Sequence, residues 1–207
     1  MKGKFITFEG CEGVGKSRQI KLLEEYLEKN NIDYFLTREP GGTDLSEQIR
    51  RIILDGKNSE MTDECEALLY AAARVQLLKE AVKPQLEKGK LVICDRYVDS
   101  SLAYQGFARG LGEKFVESIN AYAIENFTPD YTVFLDLDPE RAFLRKGGAD
   151  GKDRLEQSGL DFHKKVYRGY LKLAEKYADR YIVIDASGEK AETHEKIIRA
   201  LKEKGII

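Results

Sequence analysis

Between a short apolar run and a helical pattern the chain carries Gly10, Cys11, Glu12, Gly13, Val14, Gly15, Lys16 and Ser17, which is the spacing GxxxxGK(S/T). Glycines at these positions let consecutive backbone N–H groups point inward at phosphate oxygens, and the N-terminus of the following helix adds positive potential. Lys16 then reaches the outer phosphates of a nucleoside triphosphate, and Ser17 supplies a hydroxyl to Mg²⁺, which bridges phosphate oxygens and offsets their charge. Such a phosphate loop is shared by kinases, GTPases, motor ATPases and switches, so further residues have to decide the chemistry. No Asn-Lys-x-Asp stretch occurs in the chain, which counts against a guanine-reading GTPase.

A second set of residues suits a phosphorylated acceptor. Arg38, Glu39, Pro40, Gly41, Gly42 and Thr43 follow a strand pattern, where open parallel sheets bind ligands. Arg38 suits a phosphate there, and Glu39 suits either a ribose hydroxyl or a metal-bound water. The apolar run Leu91 to Cys94 delivers Asp95, Arg96 and Tyr97 to the same edge, with Asp95 a Walker-B-like candidate for Mg²⁺ or its waters. Tyr70 and Arg74 stand four apart on a helical pattern and share a face. That spacing fits a core aromatic, and it equally fits a ring that stacks on a base beside a guanidinium that reads its edge. Ser100, Ser101, Tyr104 and Gln105 add short polar groups and an amide able to read a base or sugar.

Positioning these residues requires alternating strands and helices. Strand patterns run from Lys4 to Glu9, Tyr34 to Thr37, Leu91 to Asp95, Tyr131 to Leu137 and Tyr181 to Asp185. Helical patterns run from Ser17 to Lys29, with Ile20, Leu23 and Leu27 on one stripe, and then from Leu45 to Leu54, Asp63 to Lys88, Glu113 to Asn126, Pro139 to Lys146, Asp153 to Tyr177 and Glu189 to Lys204. Five strands with helical crossovers predict an α/β fold with a parallel, doubly wound sheet and helices on both faces. Gly147, Gly148, Ala149, Asp150 and Gly151 cannot sustain a helix, which predicts a mobile loop from Lys146 to Lys152.

The 207 residues fit one domain over 1–207 with a small mobile insertion. The 34 basic and 36 acidic side chains nearly cancel, which gives no case for a nucleic-acid or membrane-surface partner and leaves anions to local arrangements. No apolar run approaches the roughly 20 residues of a membrane-spanning helix. Cys11, Cys65 and Cys94 are odd in number and unpaired in spacing, and no signal-peptide pattern precedes Phe5, so a reducing cytoplasm is the expected compartment. Cys11 sits where a helix N-terminus lowers thiol pKa, although a space-filling role suits it as well. Charged residues reach 34%, a Lys- and Glu-rich composition shared with proteins that work hot.

Taken together, the phosphate loop with Glu12 inside it, Arg38 to Thr43, Ala72-Ala73-Arg74, Asp95-Arg96-Tyr97, Ala103-Tyr104-Gln105-Gly106 and Pro129-Asp130 resemble the bacterial type of the thymidylate kinase family, in that family's order and at near-family spacing. The resemblance implies a P-loop nucleoside-monophosphate-kinase fold with strand order 2-3-1-4-5, a short lid within about 143–156, and a homodimer packed through its long helices. It implies ATP as phosphoryl donor, Mg²⁺ as cofactor and dTMP as acceptor, in a nucleotide-biosynthesis step that supplies dTTP. It further implies that Arg38 and Arg96 hold the monophosphate, that Tyr70 stacks on thymine, that Arg74 and Ser101 read its edge, that Tyr104 crowds a ribose 2′-hydroxyl, and that Glu12 approaches the 3′-hydroxyl. Catalytic arginines in the family come from the phosphate loop or the lid. The loop here has none, which turns attention to Arg145 and Arg154, with Lys146 and Lys152 as substitutes that lack arginine's bidentate fork.

A phosphate-monoester acceptor, with a second pKa of about 6, is already mostly deprotonated at neutral pH and needs no general base. Two rival readings stay open at this level. A deoxynucleoside kinase would need a carboxylate base for its hydroxyl acceptor, and Glu39 could serve. A P-loop switch would hold nucleotide without transferring phosphate.

Overall fold

The computed structural model of the chain describes residues 3–145 and 159–207. Among these, β1 (Phe5–Glu9), β2 (Tyr34–Arg38), β3 (Leu91–Asp95), β4 (Tyr131–Asp136) and β5 (Tyr181–Asp185) form one sheet in the order β2-β3-β1-β4-β5, with every neighbouring pair parallel. The expected strand order and parallel sheet are therefore observed. β1 is buried along its whole length and β3 along all but its last residue, so both faces of the sheet's centre are covered. That is why these strands are continuous apolar runs rather than alternating ones. The central strand β1 carries neighbours reached by connections in opposite directions, which opens a crevice at the carboxyl ends of the strands. Pairing of Arg38 with Asp95 and of Phe8 with Asp95 brings the tips of β2, β3 and β1 side by side at that crevice.

The helices that flank the crevice begin with recognisable chemistry. α1 (Lys16–Lys29) starts directly from the phosphate loop and buries the Ile20, Leu23 and Leu27 stripe. α2 (Asp44–Leu54) and α3 (Asp63–Leu77) are capped by Thr43 and Thr62, whose side chains accept from backbone N–H groups of Ser46 and Cys65, with acids in both first turns.

The predicted helix from Asp63 to Lys88 is interrupted: α3 gives way to a π-helical turn over Leu78–Val82 before α4 (Lys83–Glu87). Pro84, near the start of α4, has no N–H to give to an i−4 carbonyl, and widening the preceding turn accommodates it. The predicted helix from Glu113 to Asn126 also breaks, into α6 (Glu113–Ile119) and α7 (Ala121–Asn126), at Asn120. Between β3 and α6 lie α5 (Val98–Ser101) and a second π-helical turn, Leu102–Ala108. α8 (Pro139–Arg145), α9 (Gly159–Lys176) and α10 (Lys190–Glu203) complete the set, α9 packing chiefly on the second π-helical turn and α10 on α1. The loop predicted at 146–152, most of the lid, Arg154, Lys146 and Lys152 lie outside the described residues.

Candidate active site

The phosphate loop runs from the tip of β1 to the N-terminus of α1 with Gly10, Gly13 and Gly15 at φ 144°, 76° and 99°. At Gly10 a side chain is excluded twice over, since a Cβ would stand 2.9 Å from the Leu135 carbonyl oxygen of β4. α1 has no side-chain cap and no acid in its first turn, leaving its N-terminal N–H groups and the dipole to an incoming anion. Lys16 is buried and donates to the carbonyls of Gly10 and Cys11, both at 3.1 Å, and burial lowers its pKa. The thiol of Cys11 is buried too, and the lowering expected from a helix N-terminus is overruled: desolvation pushes it up to about 12, which leaves the space-filling role.

One recess runs from this loop across the strand tips. It is lined by Lys16 and Ser17 on the donor side, by Arg38, Glu39 and Tyr70 on the far side, and by Asp95, Arg96, Tyr104 and Gln105 between them. Glu12, Arg74, Ser100 and Ser101 also reach it. The structure thus brings together the sequence-selected residues of both sets. Four polar atoms of recess-lining residues, Asp95 Oδ1, Glu39 Oε1 and the hydroxyls of Tyr97 and Tyr104, are buried and make no hydrogen bond among the described residues. Buried polar groups are rarely left so, and their convergence on one recess marks a surface shaped for a polar ligand. Asp95 Oδ1 together with the Ser17 hydroxyl fits Mg²⁺ completed by phosphate oxygens and water. No group of three or more His, Cys, Asp or Glu able to hold a cation by protein atoms alone exists among the described residues.

Arg96 adopts a left-handed conformation, φ 69°, uncommon for a non-glycine residue. Its guanidinium bonds Glu12 at 2.5 Å, the Gly10 carbonyl at 3.1 Å, and the hydroxyls of Ser100 and Tyr170 at 3.2 Å each, and lies over the Tyr104 ring. Arg38 donates to the Pro40 carbonyl and pairs with Glu47, half exposed at the recess mouth. Arg74 is 1% exposed and extensively bonded: it holds Glu39 at 2.6 Å, Asn120 Oδ1 at 2.5 Å and the Ser101 hydroxyl at 3.1 Å. Burial raises the Glu39 carboxyl against the pull of Arg74. Gln105 donates to buried Glu66 at 2.7 Å, which Arg109 also grips.

Arg145 does not line the recess. It ends α8 and donates to the carbonyls of Ala186 and Ser187, both at 2.9 Å, in the loop after β5. Asp136 and Asp138 are structural, accepting from the Tyr167 hydroxyl and from the first N–H groups of α8. His163 is buried against Tyr104 and Phe162, a packing residue.

Sequence reasoning missed Glu9, Tyr170, Asn120 and the recess-lining Arg50. Glu9 is fully buried, and desolvation, with repulsion from Asp99 adding to it, pushes its carboxyl up to about 7. A carboxylate ending an apolar strand one residue before the phosphate loop is a readable signal. Tyr170 lies on the apolar stripe of α9 with Val166 and Leu173 and gives none.

Comparison with known proteins agrees with this geometry. The sequence model described as thymidylate kinase matches residues 8–197. Similar proteins named thymidylate kinase include one from Thermoanaerobacter sp. (strain X514), 48% identical over 98% of each chain, and one from Clostridium novyi (strain NT), 50% identical over 97% of this chain and 99% of its own. A third, from Geobacillus sp. (strain WCH70), is 51% identical over 90% of each. With both the match and the identity spanning nearly its whole length, the chain belongs to the thymidylate kinase family.

Proposed function

We propose that the protein transfers the γ-phosphoryl group of ATP to dTMP, forming dTDP. The observation that carries this reading is one recess lined by a phosphate loop at one end and, away from it, by four arginines, tyrosine rings and unpartnered buried polar atoms. One end suits a triphosphate and the other a nucleoside monophosphate. An acceptor phosphate brings its own nucleophilic oxygen, so the obstacle is repulsion between polyanions, roughly 4 kcal/mol per unit-charge pair at about 4 Å and an effective dielectric near 20.

The residues answer that obstacle with fixed cations. Lys16 and the loop N–H groups hold the β- and γ-phosphates, and Arg38 and Arg96 hold the acceptor phosphate in line with them. Ser17 and Asp95 would hold Mg²⁺, which when bound neutralises charge on the donor phosphates. Tyr70 stacks on the base, Arg74 and Ser101 read its edge with Ser100 and Gln105 beside them, Tyr104 bears on the sugar at C2′, and Glu12 approaches the 3′-hydroxyl. Glu39 orients Arg74 through their ion pair rather than acting as a base. A lid within about 143–156, part of one domain over 1–207, would supply the catalytic arginine, with Arg145 and Arg154 as its candidates. A homodimer and a cytoplasmic setting complete the reading. Support for the first is the exposed apolar surface on α2, α3 and α7, and for the second the three free cysteines, of which two are buried.

A coupled assay with ATP and Mg²⁺ across dTMP, dUMP, UMP, CMP, AMP and thymidine tests the proposal. Turnover with dTMP and none with thymidine is expected. Preference for UMP or AMP overturns the acceptor assignment, and consumption of thymidine would favour a deoxynucleoside kinase.

A further inference from the structure

Glu9 ends β1 and is fully buried behind the recess without itself lining it, yet three donors converge on it. The backbone N–H of Tyr97 donates to Oε1 at 2.8 Å. The Ser100 and Tyr170 hydroxyls donate to Oε2 at 2.6 and 2.7 Å. Those hydroxyls lie 2.8 Å from each other, and each is also 3.2 Å from Nη1 of Arg96.

Proton counting fixes the polarity of this cluster. A guanidinium only donates and an ionised carboxylate only accepts, whereas a hydroxyl has one proton and two lone pairs. At pH 8, above its pKa of about 7, Glu9 is mostly ionised, so each hydroxyl spends its proton on Oε2 and is left facing Arg96 with lone pairs, as Arg96 requires. The same carboxylate holds the N–H of Tyr97, the residue that follows the left-handed turn at Arg96, so it secures the turn as well as the side chain.

We propose that Glu9 is a positioning residue for phosphoryl transfer, orienting Ser100 and Tyr170 as acceptors for the Arg96 guanidinium and pinning the turn that presents it. The inference rests on the reading above that Arg96 grips the acceptor phosphate. Glu9→Gln is the informative substitution because it keeps the shape and reverses the polarity. Its amide oxygen must face the Tyr97 N–H, so its NH₂ group faces the two hydroxyls and turns their protons toward each other or toward Arg96.

Steady-state kinetics at pH 8 with dTMP and ATP on the wild type, Glu9→Gln, Tyr170→Phe, Ser100→Ala and the Glu9→Gln/Tyr170→Phe double variant test this. Glu9→Gln is expected to lower kcat by about 10- to 100-fold while KM for ATP stays within about twofold, since only Arg96 is misaligned. The double variant should lose about as much as the worse single variant, because both changes act through one guanidinium. Normal kcat in Glu9→Gln, or losses that multiply in the double variant, overturns the inference. Should Glu9→Gln fail to fold, the hydroxyl variants decide: each lowers kcat by about threefold or more at unchanged KM for ATP, and normal kcat in both overturns the inference. Absence of dTDP with the wild type would overturn the function and this inference together, whereas normal dTDP formation by Glu9→Gln overturns the inference alone.

Discussion

Arg96 concentrates the demands that a polyanionic reaction makes on one side chain. It stands in a left-handed backbone conformation that arginine rarely adopts, and its guanidinium meets a phosphate-loop carbonyl, a phosphate-loop carboxylate and two hydroxyls. Strain of this kind persists only where surrounding bonds over-determine it. Arg96→Ala is expected to reduce turnover on the order of 10³-fold or more, by analogy with arginine fingers, while the far-ultraviolet circular dichroism stays that of the wild type. Near-normal turnover would remove Arg96 from the site. Glu9 behind it carries an opposing cost. Its ordinary pKa of 4.5 rises to about 7 on folding, so the folded state binds the proton more tightly than the unfolded one. The folded state is therefore favoured most below about 4.5 and loses that advantage as pH rises to about 7. At about 1.4 kcal/mol per pKa unit, the wild type should lose roughly 3 kcal/mol relative to Glu9→Gln between pH 4 and pH 8, measured by urea unfolding of the ligand-free protein. A gap between the two proteins that does not change with pH would show that Glu9 folds with its ordinary affinity for protons.

At the scale of elements, the strands and the phosphate loop were legible because their causes are local. A buried parallel strand must be apolar throughout, and a loop that cradles phosphate must carry glycines where φ turns positive, so Phe5–Glu9 and Gly10 to Ser17 announce themselves. Arg38 and Asp95 were legible as tips of such strands. What stayed hidden depends on partners far along the chain. Nothing near Asn120 reveals that its amide oxygen is claimed by Arg74, 46 residues earlier, or that the helix breaks there. Tyr170 reads as one more apolar-stripe residue until α9 lays its hydroxyl against Glu9. Asn120 closes the break by donating its side-chain N–H to the Val116 carbonyl while its oxygen aims Arg74. Asn120→Ala leaves a buried guanidinium N–H without its partner, a loss of roughly 1–3 kcal/mol in unfolding free energy. With Arg74 proposed to read the base, KM for dTMP should rise severalfold while KM for ATP does not. Equal changes in both would mean that losing Asn120 at the α6–α7 break deforms the whole recess rather than the end proposed to read the base.

At the scale of the molecule, the recess and the exposed apolar side chains occupy different parts of the surface. The recess opens at the strand tips, while a separate apolar surface lies on the exposed faces of α2 and α3. Leu45 and Ile52 stand seven apart on α2, and Leu68 and Val75 seven apart on α3, so each pair occupies one face of its helix, and all four are 36–51% exposed. α2 and α3 pack against each other, and α3 also touches α7, where Ile124 is exposed too. Large apolar side chains repeated on adjoining helices are the kind of surface an interaction face uses. A second copy meeting this face about a two-fold axis would bury the same residues from both sides. Since α3 also carries Tyr70 and Arg74, such a dimer would brace the helix proposed to face the base. Leu68→Glu combined with Val75→Glu should therefore convert a dimer into a monomer by light scattering. It should also raise KM for dTMP more than KM for ATP, because the unbraced end of the recess belongs to the acceptor. A wild-type protein that runs as a monomer at micromolar concentration would dismiss the dimer. A monomeric double variant with unchanged kinetics would show that α3 holds its position without a partner.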